Sequence, residues 1–103
     1  MKEITTDELK SLILSTDPVN IIDVREDEEV AMGIIPDAEH IPMNEIPDQL
    51  KHFDKDKTYY IICAGGVRSA KVVEYLNDHG IDAVNVEGGM KAFGDEGLEY
   101  RGI

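Results

Sequence analysis

A single α/β domain over residues 1–103, with a mostly parallel central sheet covered by helices on both faces, is what this chain predicts. Three observations carry that expectation. Short apolar, β-branched runs at residues 19–24, 58–62 and 83–86 read as strands buried on both faces. Between them lie stretches with apolar residues at the three-to-four spacing of one helix face. The connections are short, and 103 residues suffice for one hydrophobic core but not two.

Taken in order, Thr5-Thr6-Asp7-Glu8 ahead of Leu9, Leu12 and Ile13 predicts a capped amphipathic helix, which Asp17-Pro18 stops. The strand at 19–24 follows. The acidic run from Arg25 to Glu29 predicts a short helix ending near Gly33, because carboxylates favour a helix N-terminus. Pro36 and Pro42 make residues 34–42 a loop with at most a short edge strand around His40 and Ile41. A helix is expected from about Asn44 to His52, with Pro47 in its first turn. Asp54-Lys55-Asp56-Lys57 is a polar turn into the strand at 58–62. Ala70, Val72, Val73 and Leu76 mark a helix over 69–79, which Gly80 terminates. After the strand at 83–86, Gly88-Gly89 turns the chain into a helix near Met90 to Phe93, and Leu98 to Ile103 is weakly specified.

The net charge of -12, from 22 acidic and 10 basic side chains, argues against nucleic acid, which needs a cationic surface. No run of apolar residues approaches a membrane span, and Lys2, Glu3, Asp7 and Glu8 interrupt any secretory core, so a cytoplasmic location is expected. One cysteine and three scattered histidines lack metal-ligand spacing, and no cofactor motif is present.

The lone cysteine, Cys63, closes the strand-like run and opens the loop Ala64-Gly65-Gly66-Val67-Arg68-Ser69, which leads into a helix. Inert burial is the common fate of a free cysteine. Here it stands at the C-terminal end of a strand, where open α/β sheets bind ligands. The glycines let successive N-H groups turn inward, the helix adds its N-terminal partial charge, and Arg68 adds a full one. Each of these favours the thiolate, the reactive form.

Four blocks now stand in order: Asp23-Val24-Arg25-Glu26, the segment from Gly33 to Pro42, Cys63-Ala64-Gly65-Gly66-Val67-Arg68-Ser69, and Gly88-Gly89-Met90-Lys91-Ala92-Phe93. Together they resemble the single-domain rhodanese-like (thiosulfate sulfurtransferase) family over nearly the whole chain. The resemblance implies a transferase in which Cys63 takes a sulfane sulfur from thiosulfate or a persulfide donor, carries it as a persulfide, and gives it to a thiol or cyanide. A protein donor or acceptor fits the same scheme. The backbone from Ala64 to Ser69 is then expected to surround the sulfur. Asp23 is implied to support the active loop. Arg25 reads either as a cation at the pocket mouth or as a surface residue, and Ser69 as the helix N-cap. Arg68 either steers an anionic donor or locks the loop by pairing with a carboxylate such as Glu26 or Asp23. His40 reads as a hydrogen-bonded structural histidine, and His52 and His79 as residues near helix ends.

Two positions depart from the family pattern. Asp37 stands where glycine is common and can adopt a left-handed turn; Phe93 stands where tryptophan is frequent. Two other functions compete. A sulfur-relay carrier would load from a protein persulfide without efficient small-molecule turnover. A phosphatase or arsenate reductase of related fold typically has five residues between its cysteine and arginine, whereas Cys63 and Arg68 have four between them.

Overall fold

The computed structural model describes residues 1–94; the segment from Leu98 to Ile103 lies outside them. Five strands form one sheet: β1 (Glu3–Ile4), β2 (Asn20–Asp23), β3 (Glu39–His40), β4 (Thr58–Ile62) and β5 (Asp82–Val86). Their spatial order is β1-β5-β4-β2-β3, and every pairing is parallel. Helices α1 (Thr6–Ile13), α2 (Asp27–Val30) and α3 (Val67–Asp78) lie between strands, and α4 (Gly89–Phe93) follows β5.

The α/β expectation therefore holds, with a sheet that is parallel throughout rather than mostly so. β1 was not legible in sequence: two residues, Glu3 and Ile4, carry no pattern of their own and pair only because β5 offers them an edge. The helix expected from Asn44 to His52 is instead two 3-10 turns, Met43–Glu45 and Pro47–His52. Pro47 explains the break, since it has no N-H for an α-helical bond and can only open a new turn. Asp37 does adopt a left-handed conformation, at φ 66°.

Strand parity divides the core in two. Ile22 and Val24, Tyr59, Ile61 and Cys63, and Ala83 face α3 and the 3-10 turns, packing on Val72, Val73 and Leu76 with Ile46 and Phe53. Ile21, Ile62 and Val86 face the other way, onto Leu9 of α1 and Met90 and Phe93 of α4. Val73 and Leu76 are wholly buried, each such side chain contributing about 1.5 to 3 kcal/mol. The same parity aims the Cys63 side chain at the beginning of α3. A thiol one residue earlier or later would face α1 and α4 instead.

Candidate active site

Directly after β4, the loop from Cys63 to Gly66 bends around the Cys63 sulfur. The Gly66 N-H donates to Sγ at 3.0 Å and the Ser69 N-H at 3.4 Å, and the Ser69 hydroxyl lies 3.2 Å from Sγ. Gly66 is the N-cap of α3 at φ 99°, a conformation that side chains avoid, and a β-carbon there would stand 3.1 Å from the Gly88 nitrogen. The first N-H groups of a helix have no partner within it. Here the sulfur takes that place.

What turns the loop this way is α4. Its Met90 N-H donates to the Cys63 carbonyl at 2.8 Å and its Lys91 N-H to the Ala64 carbonyl at 3.0 Å, holding both carbonyls away from the sulfur. Gly89, at φ 58°, permits this approach, since a β-carbon would lie 2.7 Å from the Ala64 carbonyl carbon and closer still to the Cys63 carbonyl oxygen. The second glycine pair thus exists for the first loop.

Cys63 is 1% exposed. Burial pushes its thiol pKa up, but the hydrogen bonds from the Ser69 hydroxyl and from the Ser69, Gly66 and Gly65 amides outweigh burial and hold it below the usual thiol value. The arrangement can therefore hold negative charge on sulfur. Ser69→Ala, which removes the hydroxyl and leaves the amides, is expected to raise the Cys63 pKa. Alkylation by iodoacetamide at neutral pH should slow by about fivefold, with the pH profile moved to higher pH; an unmoved profile would show that the hydroxyl does not stabilise the thiolate.

Ser69 is not the N-cap. Helix α3 begins two residues earlier than its apolar pattern suggested, because Val67 and Arg68 occupy the first turn with outward side chains. This places Ser69 on the buried face with Val72, Val73 and Leu76, where its hydroxyl meets Sγ.

Arg68 projects sideways to α2. Its Nη1 and Nη2 donate to Glu29 Oε1 and Oε2 at 2.7 and 2.8 Å, a two-pronged pair. The partner is thus neither Glu26 nor Asp23. Glu26 is the N-cap of α2, and its own amide is capped by the Glu29 carboxylate at 3.0 Å; Asp23 is already committed elsewhere. The Arg68 guanidinium holds the Glu29 carboxyl down to about 2, and the carboxylate raises the arginine in return. A carboxyl lowered on folding stabilises the protein above its unfolded value, 4.5, and that contribution disappears as pH falls toward 2. Acid titration of stability should show this loss in the wild type and lack it in Glu29→Gln; both groups are about one-third exposed, so the effect is modest.

Asp23 and Arg25 are both buried, which corrects the surface reading of Arg25. Arg25 Nη2 reaches Asp23 Oδ2 at 2.8 Å and the Gly33 carbonyl at 2.8 Å, its Nε lies 3.0 and 3.1 Å from the two Asp23 oxygens, and Nη1 reaches the Glu29 carbonyl at 3.4 Å. The pair ties the end of β2 to α2 and so places Glu29. Nor is Arg25 a free cation at the mouth: it lines the cavity with its charge balanced by Asp23. His40 is held by the Arg25 carbonyl at 2.7 Å, His52 by Glu39 at 2.8 Å, and His79 by the Tyr75 carbonyl at 2.8 Å.

Two contributors escaped sequence reasoning. Glu29 was read only as part of an acidic run, although its place three residues after Glu26 is a capping-box signal. Asn85, 2% exposed, donates through Nδ2 to Glu3 at 3.0 Å and to the Gly66 carbonyl at 3.3 Å, fastening the loop to β1. A polar residue amid Ala83, Val84 and Val86 was the available sign.

Beside the loop opens a cavity of about 360 Å³, walled by Ala64 and Met90 with Met32, Glu29, Arg25 and Lys91. Met32 and Val67 are 76% and 70% exposed. No helix among the described residues is long and apolar enough to cross a membrane.

The sequence matches the Rhodanese family, described as "Rhodanese-like domain", over residues 5–96. It is 51% identical over 96 residues to "Putative sulfurtransferase YtwF" of Bacillus subtilis, covering 93% of each chain. It is 35% identical over 99 residues to "Sulfurtransferase" of Allochromatium vinosum, covering 95% of this chain and 92% of that one. A crystal structure of a rhodanese-like domain protein from Staphylococcus aureus superimposes with a TM-score of 0.92 at 69% identity, covering 94% of this chain and 95% of the other. A cysteine cradle at the end of β4, a parallel five-stranded sheet and these matches along the chain agree: it belongs to the rhodanese-like domain family.

Proposed function

We propose that this protein, a single domain over residues 1–103, is a sulfurtransferase in which Cys63 carries a sulfane sulfur as a persulfide. The observation that carries the reading is the set of donors on one sulfur: the Gly66 and Ser69 amides and the Ser69 hydroxyl, all within 3.4 Å of Sγ. Dipoles fixed in advance stabilise charge without reorganising during the reaction. The names of the two relatives support the same class of chemistry.

In the first half-reaction the Cys63 thiolate attacks the outer sulfur of the donor. With thiosulfate, a bond from Sγ to that sulfur forms, the S-S bond of the donor breaks, and its electron pair leaves on sulfite, giving Cys63-S-S⁻. In the second, a thiol or cyanide attacks the outer persulfide sulfur and the Cys63 thiolate is regenerated. Two displacements through a covalent intermediate predict ping-pong kinetics. Ala64, Gly65 and Val67 shape the loop, Arg68 locks it to α2, and Asp23 with Arg25 supports that anchor. The chemistry suits a compartment that keeps thiols reduced, such as the cytoplasm.

Intact mass after exposure to thiosulfate and, separately, to an organic persulfide tests the reading. The expected result is a gain of one sulfur atom, located on Cys63 and removed by cyanide. No gain from any sulfane donor, or hydrolysis of an aryl phosphate in its place, would refute it. Loading from a protein persulfide without turnover of small molecules would identify a relay carrier instead.

A further inference from the structure

We infer that Glu29 sets the donor specificity of the site: by pairing with both terminal nitrogens of Arg68 and balancing its charge, it selects an organic persulfide, R-S-SH, whose R group is uncharged, over the thiosulfate dianion. The inference rests on the sulfurtransferase reading above and adds to it the chemical class of the donor.

A dianion needs unspent cations at the mouth of the site. Arg68 presents both prongs to Glu29, at 2.7 and 2.8 Å. Arg25 spends Nε and Nη2 on Asp23 and the Gly33 carbonyl and directs Nη1 to the Glu29 carbonyl. Of the described residues walling the cavity, Lys91 is then the one cation with no carboxylate in salt-bridge contact, and Glu29 itself adds a carboxylate to the same wall. At longer range a net charge of -12 opposes any anion. The rest of the wall carries no charge: Ala64, Met90, Gly94 and the exposed Met32. Such a rim takes up an uncharged chain beside the reacting sulfur and gives nothing to a sulfonate.

The step balances without a redox partner. Cys63-S⁻ attacks the terminal sulfur of R-S-SH, the new S-S bond forms as the donor's S-S bond breaks, and the electron pair leaves on R-S⁻. The persulfide proton passes to that thiolate, leaving Cys63-S-S⁻ and R-SH.

Single-turnover sulfur loading of Cys63, followed by mass, measures the preference as kcat/KM for thiosulfate divided by kcat/KM for the persulfide of N-acetylcysteine methylamide, a donor with no charge outside its persulfide group. In Glu29→Gln, which frees Arg68 from its counter-charge, the ratio is expected to rise by about tenfold, the scale of one charge-assisted hydrogen bond. Adding Arg68→Ala to that variant should return the ratio to the wild-type level or below, which a merely structural role of Glu29 would not produce. An unchanged or lower ratio in Glu29→Gln, or a gain that survives Arg68→Ala, would overturn the inference while leaving the persulfide mechanism standing. Absence of loading from both donors in the wild type would overturn the mechanism and the inference together. A Leu-flanked peptide persulfide, run beside the single-residue donor, separates the two sources. Faster loading from the peptide assigns the chemistry to a polypeptide donor and equal rates to a small molecule, both within the inferred class.

Discussion

Cys63→Ser is expected to abolish sulfur uptake from every donor, by at least about three orders of magnitude, with the fold intact. A serine hydroxyl is not ionised near neutral pH, so the nucleophile vanishes. The oxygen remains an acceptor for the Gly66 and Ser69 amides, which now meet Sγ at 3.0 and 3.4 Å. Stability should therefore fall by only about 1 kcal/mol. Intact mass after incubation with thiosulfate or a persulfide checks the first half, and thermal unfolding the second. Sulfur retained by Cys63→Ser would place the carrier atom elsewhere and end the case for this loop.

The largest loss of stability is expected at Asp23. Asp23→Ala leaves the Arg25 guanidinium buried with no counter-charge, at 7% side-chain exposure. Breaking a buried pair from one side costs about 3 to 5 kcal/mol, which for a chain of this size lowers Tm by about 15 to 30 °C. The site suffers with it, because Arg25 holds the Glu29 and Gly33 carbonyls and so keeps α2 where Arg68 can reach Glu29. Thermal and denaturant unfolding give the cost directly. A midpoint within a few degrees of wild type would mean that water or a shifted carboxylate replaces Asp23 without penalty, contrary to the geometry.

Much of this arrangement was legible in the chain. Val19 to Val24, Thr58 to Ile62 and Ala83 to Val86 are apolar enough to be central strands, and three of the five observed strands lie there. The paired glycines at 65–66 and 88–89 marked turns, and both proved to serve the cysteine loop. The helix at 44–52 failed because Pro47, expected within the first turn of one helix, instead opens a second 3-10 turn after Met43–Glu45. Ser69 was misread for a related reason: N-cap preference is statistical, whereas the start of α3 is set by how Gly66 turns between Cys63 and the Gly88 backbone.

By itself, then, the sequence determined the α/β class and the position of Cys63 at a strand end, since these follow from local pattern. Only the tertiary structure decided which groups meet. Glu29 lies 39 residues from Arg68, and Asn85 lies 19 from Gly66 and 82 from Glu3. Each of these pairings depends on the crossing order β1-β5-β4-β2-β3, which brings distant loops to one edge of the sheet. Local pattern encodes which face a side chain takes; which charge it finds there is fixed by packing. That is why the place of Cys63 could be read from the chain while the carboxylate that pairs with its neighbouring Arg68 could not.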